Sequence, residues 1–335
     1  MSSKPTLFLI VAFILIAVAF ASYSFGQEVA DTLKFEANPD MYSGQSYYKE
    51  KNFTAKKIAI VTFYTRDDWG QRLKRLTFHN FQAYAKQHDY MAIDALDNIE
   101  LQQKFIELKK KGLASHHFKV IALRYFLPNF DWVMWADGDS IFLNFGLDLI
   151  EYCDTDYDVI LSVGAPNTQH WKQIVNAGHY LIRNTEWSLQ FLKQVDFMAR
   201  RNCQEFINPD ESVLNGWLKM CGEDGGYWLS DQGILQILIQ WGDRLGFDQC
   251  HIKLTGFRDF NSEFPWYEDG DLVVHFPGRR IDNREELIGD FYMYTDFEKG
   301  IVDRTRTKIL NTEYSHWQLR NMTDAFKVWN HPCRK

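Results

Sequence analysis

The chain reads as an α/β protein with a mostly parallel central sheet, and three observations predict it. Apolar runs recur at Ile58–Phe63, Trp132–Ala136 and Val159–Val163, interrupted only by Thr62 and Ser162, of the length and β-branching expected of strands buried on both faces. Stretches with apolar residues at three- and four-residue spacing lie between them, the alternation that builds parallel sheets. Two of the runs end abruptly in polar or charged residues, as strand ends that face a ligand do.

In chain order, Leu7–Ala21 comes first, fifteen residues without a polar side chain, inside a window of 23 uncharged residues between Lys4 and Glu28. That length suits a bilayer-spanning helix, with Lys4 holding the N-terminus on the cytoplasmic side. A cleaved signal peptide is the alternative, because Ala19-Phe20-Ala21 is a small-x-small site. Either delivers the remaining chain to the secretory lumen. Asn52-Phe53-Thr54 and Asn321-Met322-Thr323 are glycosylation sequons, which agrees. Residues 26–55 are polar and aperiodic and read as a stem.

The strand at 58–63 is followed by a helix over 70–88, carried by Leu73, Leu76, Phe81 and Ala85, and a strand at 90–93. A helix over 115–126 shows Phe118, Ile121, Ala122 and Tyr125 on one stripe. After Trp132–Ala136 come Asp137-Gly138-Asp139 and a second apolar piece, Ile141–Leu143. Strands at 159–163 and 178–182, helices at 186–200 and 231–241, and a strand Leu272–Val274 ending on His275 complete the pattern. The expected boundaries are a cytoplasmic tip and anchor at 1–25, the stem at 26–55, one catalytic domain at 56–300 and a helical tail at 301–335.

Composition narrows the function. The 335 residues carry 37 Lys plus Arg against 44 Asp plus Glu, a net charge of −7, which argues against a nucleic-acid partner. A hydrophobic content of 46% with 8 Pro and 20 Gly excludes disordered and collagen-like chains. The five cysteines, Cys153, Cys203, Cys221, Cys250 and Cys333, have no C-x-x-C spacing, so one or two disulfides and a leftover thiol are expected rather than a zinc site.

Asp-x-Asp occurs at 137/139, 154/156, 156/158 and 269/271, so the tripeptide alone says little. The first copy differs because a buried strand precedes it and an apolar segment follows. Two carboxylates crowded there repel unless a cation lies between them. A hard divalent ion that holds substrate phosphates answers this need, and a capped turn is the bland alternative. His275 ends a strand and leads into Phe276-Pro277-Gly278-Arg279-Arg280, where glycine permits close backbone approach and arginine forks match phosphate. Thr62 and Arg66, at and just past the end of the first strand, fall where a nucleotide would lie. No P-loop or dinucleotide glycine motif occurs.

These blocks resemble glycosyltransferase family 34, the Golgi galactosyl-, mannosyl- and xylosyltransferases. The matching pieces are Phe118-Lys119 with Arg124, DWVMWADGDSIFLN through Asn144, NAGHYLIRNTEW at Asn176–Trp187, LSDQG at Leu229–Gly233 and HFPG at His275–Gly278. The resemblance implies a GT-A (Rossmann-like) fold, a UDP- or GDP-sugar donor, a glycan acceptor, Mn²⁺, retention of anomeric configuration and a single-pass type II place in the Golgi membrane. It makes Asp137, Asp139 and His275 metal ligands. Asn176 and Gly178 would line the sugar site, Asp231 and Gln232 would flank the reacting carbon, and Lys119, Arg124, Gly278 and Arg280 would face the nucleotide. Phe63-Tyr64-Thr65-Arg66 departs from the family's Gly/Ser-rich turn, and Ser230, Pro277 and Arg279 depart as well. A homodimer is compatible with the sequence, which carries no specific signal for it. A catalytically inactive sugar-nucleotide or glycan-binding protein and a metal-dependent phosphohydrolase are the rival readings. Trp171, Trp228 and Trp266 are candidate stacking platforms for acceptor sugars.

Overall fold

The computed structural model describes residues 57–164, 175–200, 231–242, 247–277 and 284–306. The predicted membrane segment, the stem, both sequons and most of the predicted tail lie outside these residues, as do Gly278, Arg280, Trp171 and Trp228. No helix among the described residues is long and apolar enough to cross a membrane.

Two compact units divide the chain, one comprising 50–236 and 250–335 and the other 1–49 and 237–249. The described part of the smaller unit includes the end of a helix, and the Phe247 N–H donates to the Gly242 carbonyl (2.6 Å). All sheets among the described residues belong to the larger unit.

The larger unit begins with β1 (Ile58–Thr62), every residue of which is buried. Helix α1 (Asp68–Gln87) follows, its N-terminus capped by Asp67, which accepts from Gly70 N at 2.7 Å. Next come β2 (Met91–Asp94), α2 (Ile99–Lys110) and α3 (Phe118–Phe126), the last preceded by a 3₁₀ turn over Ser115–His117. Strand β3 (Trp132–Ala136) is wholly buried, and three residues separate it from β4 (Ser140–Phe142). β5 (Val159–Val163), β6 (Val175–Arg183), α4 (Glu186–Ala199) and α5 (Asp231–Trp241) follow. The chain then forms β7 (Ile252–Thr255), α6 (Phe257–Phe260), β8 (Ser262–Glu263), β9 (Val273–His275), α7 (Arg284–Tyr294) and the hairpin β10 (Thr295–Asp296) with β11 (Ile301–Val302).

The main sheet has the order β2-β1-β3-β6-β5-β7 and a second, three-stranded sheet the order β4-β9-β8. Three of the five pairings in the main sheet are parallel, and both antiparallel ones involve β6. The expectation of a parallel-rich sheet therefore needs one refinement: β6 runs against its neighbours and is longer at its start than the sequence suggested. A strand buried along its length shows the same apolar run whichever way it points. α2, α6, α7, strands β7 and β8 and the β10–β11 hairpin were not anticipated, and β11 stands at the start of the segment expected to be a helical tail. In α2 only Leu101 and Leu108 are buried, whereas Ile99 and Ile106 are exposed, so its stripe is too thin to signal a helix.

The core joins β1, β3 and β4 to α1, with Tyr84 stacked on Phe142 at 4.0 Å. Cys250 is disulfide-bonded and Cys153 is a free thiol whose pKa burial pushes up to about 12.

Candidate functional site

The three-residue joint between β3 and β4 carries the chain from one sheet to the other, and Asp137 and Asp139 lie on it. The Asp137 N–H donates to the Gly178 carbonyl at 2.8 Å, extending the β3–β6 ladder by one step. Past Gly138, β4 pairs antiparallel with β9, setting Ser140 opposite His275, and the Phe276 N–H donates to the Asp139 carbonyl at 2.9 Å. One sheet thus supplies the first carboxylate, and the other supplies the second carboxylate and the imidazole.

His275 Nε2 lies 3.4 Å from Asp139 Oδ1 and 3.9 Å from Asp137 Oδ2. One ligand atom from each of Asp137, Asp139 and His275 falls within 4.8 Å of the others. Asn261 accepts from the Nδ1 side of His275 at 3.1 Å, which points Nε2 at the carboxylates. Two carboxylates and a neutral imidazole are a donor set suited to Mn²⁺ or a similar divalent ion. The residues present fit such an ion.

Lys119 reaches the same place from α3. Its buried ammonium contacts Asp137 Oδ1 at 2.9 Å and Asp231 Oδ2 at 2.8 Å, and donates to the Ala177 carbonyl at 3.0 Å. The Trp135 indole N–H donates to Asp137 at 2.8 Å. Arg284, the first residue of α7, places Nη1 3.0 Å from Asp139 Oδ2. Three carboxylates here face two permanent cations, a surplus of negative charge that a divalent ion would offset.

The titration shifts follow from these contacts. Burial opposes ionisation of Asp139, yet the hydrogen bond and charge of His275, with Arg284, hold its carboxyl below the usual range. Burial likewise opposes charging of His275, and Asp139 and then Asp137 outweigh it and raise the imidazole pKa. Lys119 resists deprotonation despite its burial because Asp137 and Asp231 flank it, and Lys119 in turn lowers Asp231.

Two glycines make the approach possible. A Cβ on Gly178 would sit 2.2 Å from His275 Cε1, and one on Gly138 would sit 2.6 Å from Tyr64 Cε1. Tyr64 is fully buried and shares a 2.8 Å hydrogen bond with Thr77, whose hydroxyl also reaches the Gly138 carbonyl at 2.8 Å.

The remaining sequence candidates divide. Asn176 accepts from Gly178 N at 2.7 Å and donates to Glu263, and Gln232 accepts from Ala177 N at 3.1 Å, so both stand beside the cluster. Thr62 is buried at the end of β1. Arg66 bonds the Leu96 carbonyl and lies 3.3 Å from Asp97, and Arg124 ties α3 to Asp196 of α4 at 3.2 Å. Neither contact leads to the carboxylates. Trp266 is half-buried, its backbone N–H donating to the Glu263 carbonyl. Arg284, Asn261 and His179 (bonded to Asn261 and Ser140) were not foreseen. The sequence reading pointed to Arg279 and Arg280, which lie outside the described residues, and not to Arg284 at the start of α7.

Comparison with known proteins gives the following similarities. Residues 81–219 match a family described as "Protein of unknown function, DUF273". Galactomannan galactosyltransferase 1 of Cyamopsis tetragonoloba is 28% identical over 125 residues, 37% of this chain and 27% of that one. An uncharacterized alpha-1,2-galactosyltransferase of Schizosaccharomyces pombe is 23% identical over 239 residues, 61% of this chain and 56% of that one. The chain therefore spans from about a quarter to just over half the length of these relatives. Among solved structures, a glycosyltransferase involved in glycosylation of the major capsid of PBCV-1 aligns over 69% of this chain and 98% of its own at 15% identity, TM-score 0.42. A Drosophila galactosyltransferase 7 mutant, solved with manganese, UDP-Gal and xylobiose, aligns over 77% and 82% at 13% identity, TM-score 0.34.

Proposed function

We propose that this chain is a metal-dependent, retaining glycosyltransferase of GT-A type that moves a hexose or pentose from a UDP- or GDP-sugar to a glycan acceptor. The observation that carries this reading is the convergence of Asp137, Asp139 and His275 at the carboxyl end of β3, with Lys119, Asp231 and Gln232 against them. The named galactosyltransferases among its relatives support it.

Asp137, Asp139 and His275 would hold the ion. When bound, it supplies positive charge to a leaving diphosphate. The chain's own residues do the rest. Lys119 holds Asp137 and Asp231 in place and favours their ionised forms, against the burial that raises Asp137, so the carboxylate geometry is set before substrate arrives. Lys119 is spent on these contacts, which gives it a supporting role in place of the direct nucleotide contact that the resemblance implied. Gln232 uses its carbonyl on Ala177 N, so a contact to the sugar would come from its Nε2 amide. No step requires a covalent nucleophile, and a front-face transfer, with the acceptor hydroxyl deprotonated by the leaving phosphate, fits these residues. The proposed setting is the Golgi lumen, with the N-terminal apolar segment as a single-pass type II anchor.

The test is a panel of UDP- and GDP-sugars with Mn²⁺ and acceptor glycans, measuring nucleotide release. Acceptor-dependent release that Asp139→Ala abolishes is the expected result. Binding without turnover over a broad acceptor panel would instead indicate an inactive binding protein. Acceptor-independent release of free sugar would indicate hydrolysis.

A further inference from the structure

A diphosphate at this site needs cationic ligands, and the described residues offer few with donors to spare. Lys119 has three partners already, and Arg66 and Arg124 point to Asp97 and Asp196. Arg284 differs from all three. Its Nη1 meets the metal-ligand candidate Asp139 at 3.0 Å, while its Nε is buried without a hydrogen-bond partner among the described residues. A buried guanidinium N–H left unpaired is unfavourable, and an anion beside Asp139 would satisfy it.

The side chain is also held in place. Its guanidinium carbon lies 5.8 Å from the ring centroid of Trp69, which is partly exposed near the start of α1. The neighbouring Glu285 receives the Arg72 Nε–H on both carboxylate oxygens, at 2.8 and 3.0 Å, tying the first turn of α7 to α1. A planar fork fixed this way presents its donor edge in one direction, as recognition of a phosphate requires.

We infer that Arg284 is a diphosphate-binding residue, meeting a phosphate oxygen of the nucleotide sugar through Nε–H while Nη1 stays on Asp139. The inference rests on the nucleotide-sugar reading above. It assigns to the first residue of α7 a contact that the family resemblance placed at Arg280.

A purely orienting role for Arg284 on Asp139 makes a different prediction, and calorimetry on the full chain separates the two. Mn²⁺ alone is titrated first, then UDP and GDP at saturating Mn²⁺, for the wild type, Arg284→Gln and Arg284→Lys. A phosphate ligand predicts that Arg284→Gln binds Mn²⁺ as tightly as the wild type or more tightly, because a positive charge has gone. It also predicts nucleoside diphosphate binding weaker by roughly 10- to 100-fold. Arg284→Lys, which keeps the charge and loses the fork, should fall between, and it decides the matter where the Gln variant does not fold. Diphosphate affinity within twofold of the wild type overturns the inference, as does a parallel fall in Mn²⁺ and diphosphate affinity. Wild-type protein that takes Mn²⁺ but neither UDP nor GDP overturns the nucleotide-sugar reading itself, before any variant is measured.

Discussion

Replacing Gly138 by Ala should disrupt the joint between the two sheets. Gly138 does not have a positive φ, so the backbone itself accepts alanine. On conformational grounds alone the change would stabilise by about 0.4–1 kcal/mol. The added Cβ would, however, lie 2.6, 3.1 and 3.3 Å from Cε1, Cδ1 and Cζ of Tyr64. Tyr64 has no room to yield, since its ring is buried against Phe78 and its hydroxyl is held by Thr77. Forcing one extra methyl into such packing costs about 1–3 kcal/mol. For a domain of this size that lowers Tm by roughly 3–10 °C. Because the strain falls between Asp137 and Asp139, Mn²⁺ affinity should fall as well. Thermal unfolding and Mn²⁺ calorimetry on Gly138→Ala, Tyr64→Ala and the double variant provide the assay. In the Tyr64→Ala background the glycine substitution should cost almost nothing. An equal cost in both backgrounds, or none in either, would refute the steric account.

Three further outcomes are expected. Gly178→Ala should displace His275, whose ring atoms lie 2.2 and 2.6 Å from the new Cβ, and weaken Mn²⁺ binding at least tenfold by calorimetry. Lys119→Met should destabilise the protein by about 3–5 kcal/mol in denaturant titrations near pH 7, because it leaves Asp137 and Asp231 buried without their shared cation; wild-type stability would contradict the ion triad. His117 is buried with no hydrogen-bond partner on either ring nitrogen among the described residues, and burial, then His116, pushes its pKa down to about 4 from 6.5. The unfolded chain therefore binds more protons between those values, and stability falls as pH drops through them. His117→Leu should recover about 2 kcal/mol at pH 5 relative to the wild type and little at pH 8, and an unchanged pH profile of Tm would contradict it.

The chemistry-bearing residues were legible where they end buried strands, because an apolar run that stops at a charged residue marks both the strand and its ligand-facing end. Asp137, Asp139 and His275 were found this way, and they converge although 136 residues separate His275 from Asp139. The direction of β6 was not legible, nor was the existence of a second sheet, since both depend on pairing between distant segments. Arg284 escaped for the same reason. Nothing local to it identifies Asp139, which the pairing of β4 with β9 brings to its side. Asn261 and His179 are ordinary polar residues in sequence, and only the fold makes them the support of His275. Tyr64 appeared first as a departure from the resembling family's Gly/Ser-rich turn. The structure supplies its counterpart, because the glycine between the two aspartates leaves the room that the tyrosine ring fills.

Strand β6 has a consequence for how the site comes into being. The groups β2-β1-β3 and β5-β7 meet only through it within the main sheet. It also sets Gly178 against His275 and receives the Asp137 N–H. A slip of one residue would turn Gly178 away from His275 and bring a side chain in its place. The cluster therefore cannot assemble before the sheet closes in the correct register. Amide protons of β6 should be among the last to exchange with solvent, opening together with the whole sheet rather than by local fraying.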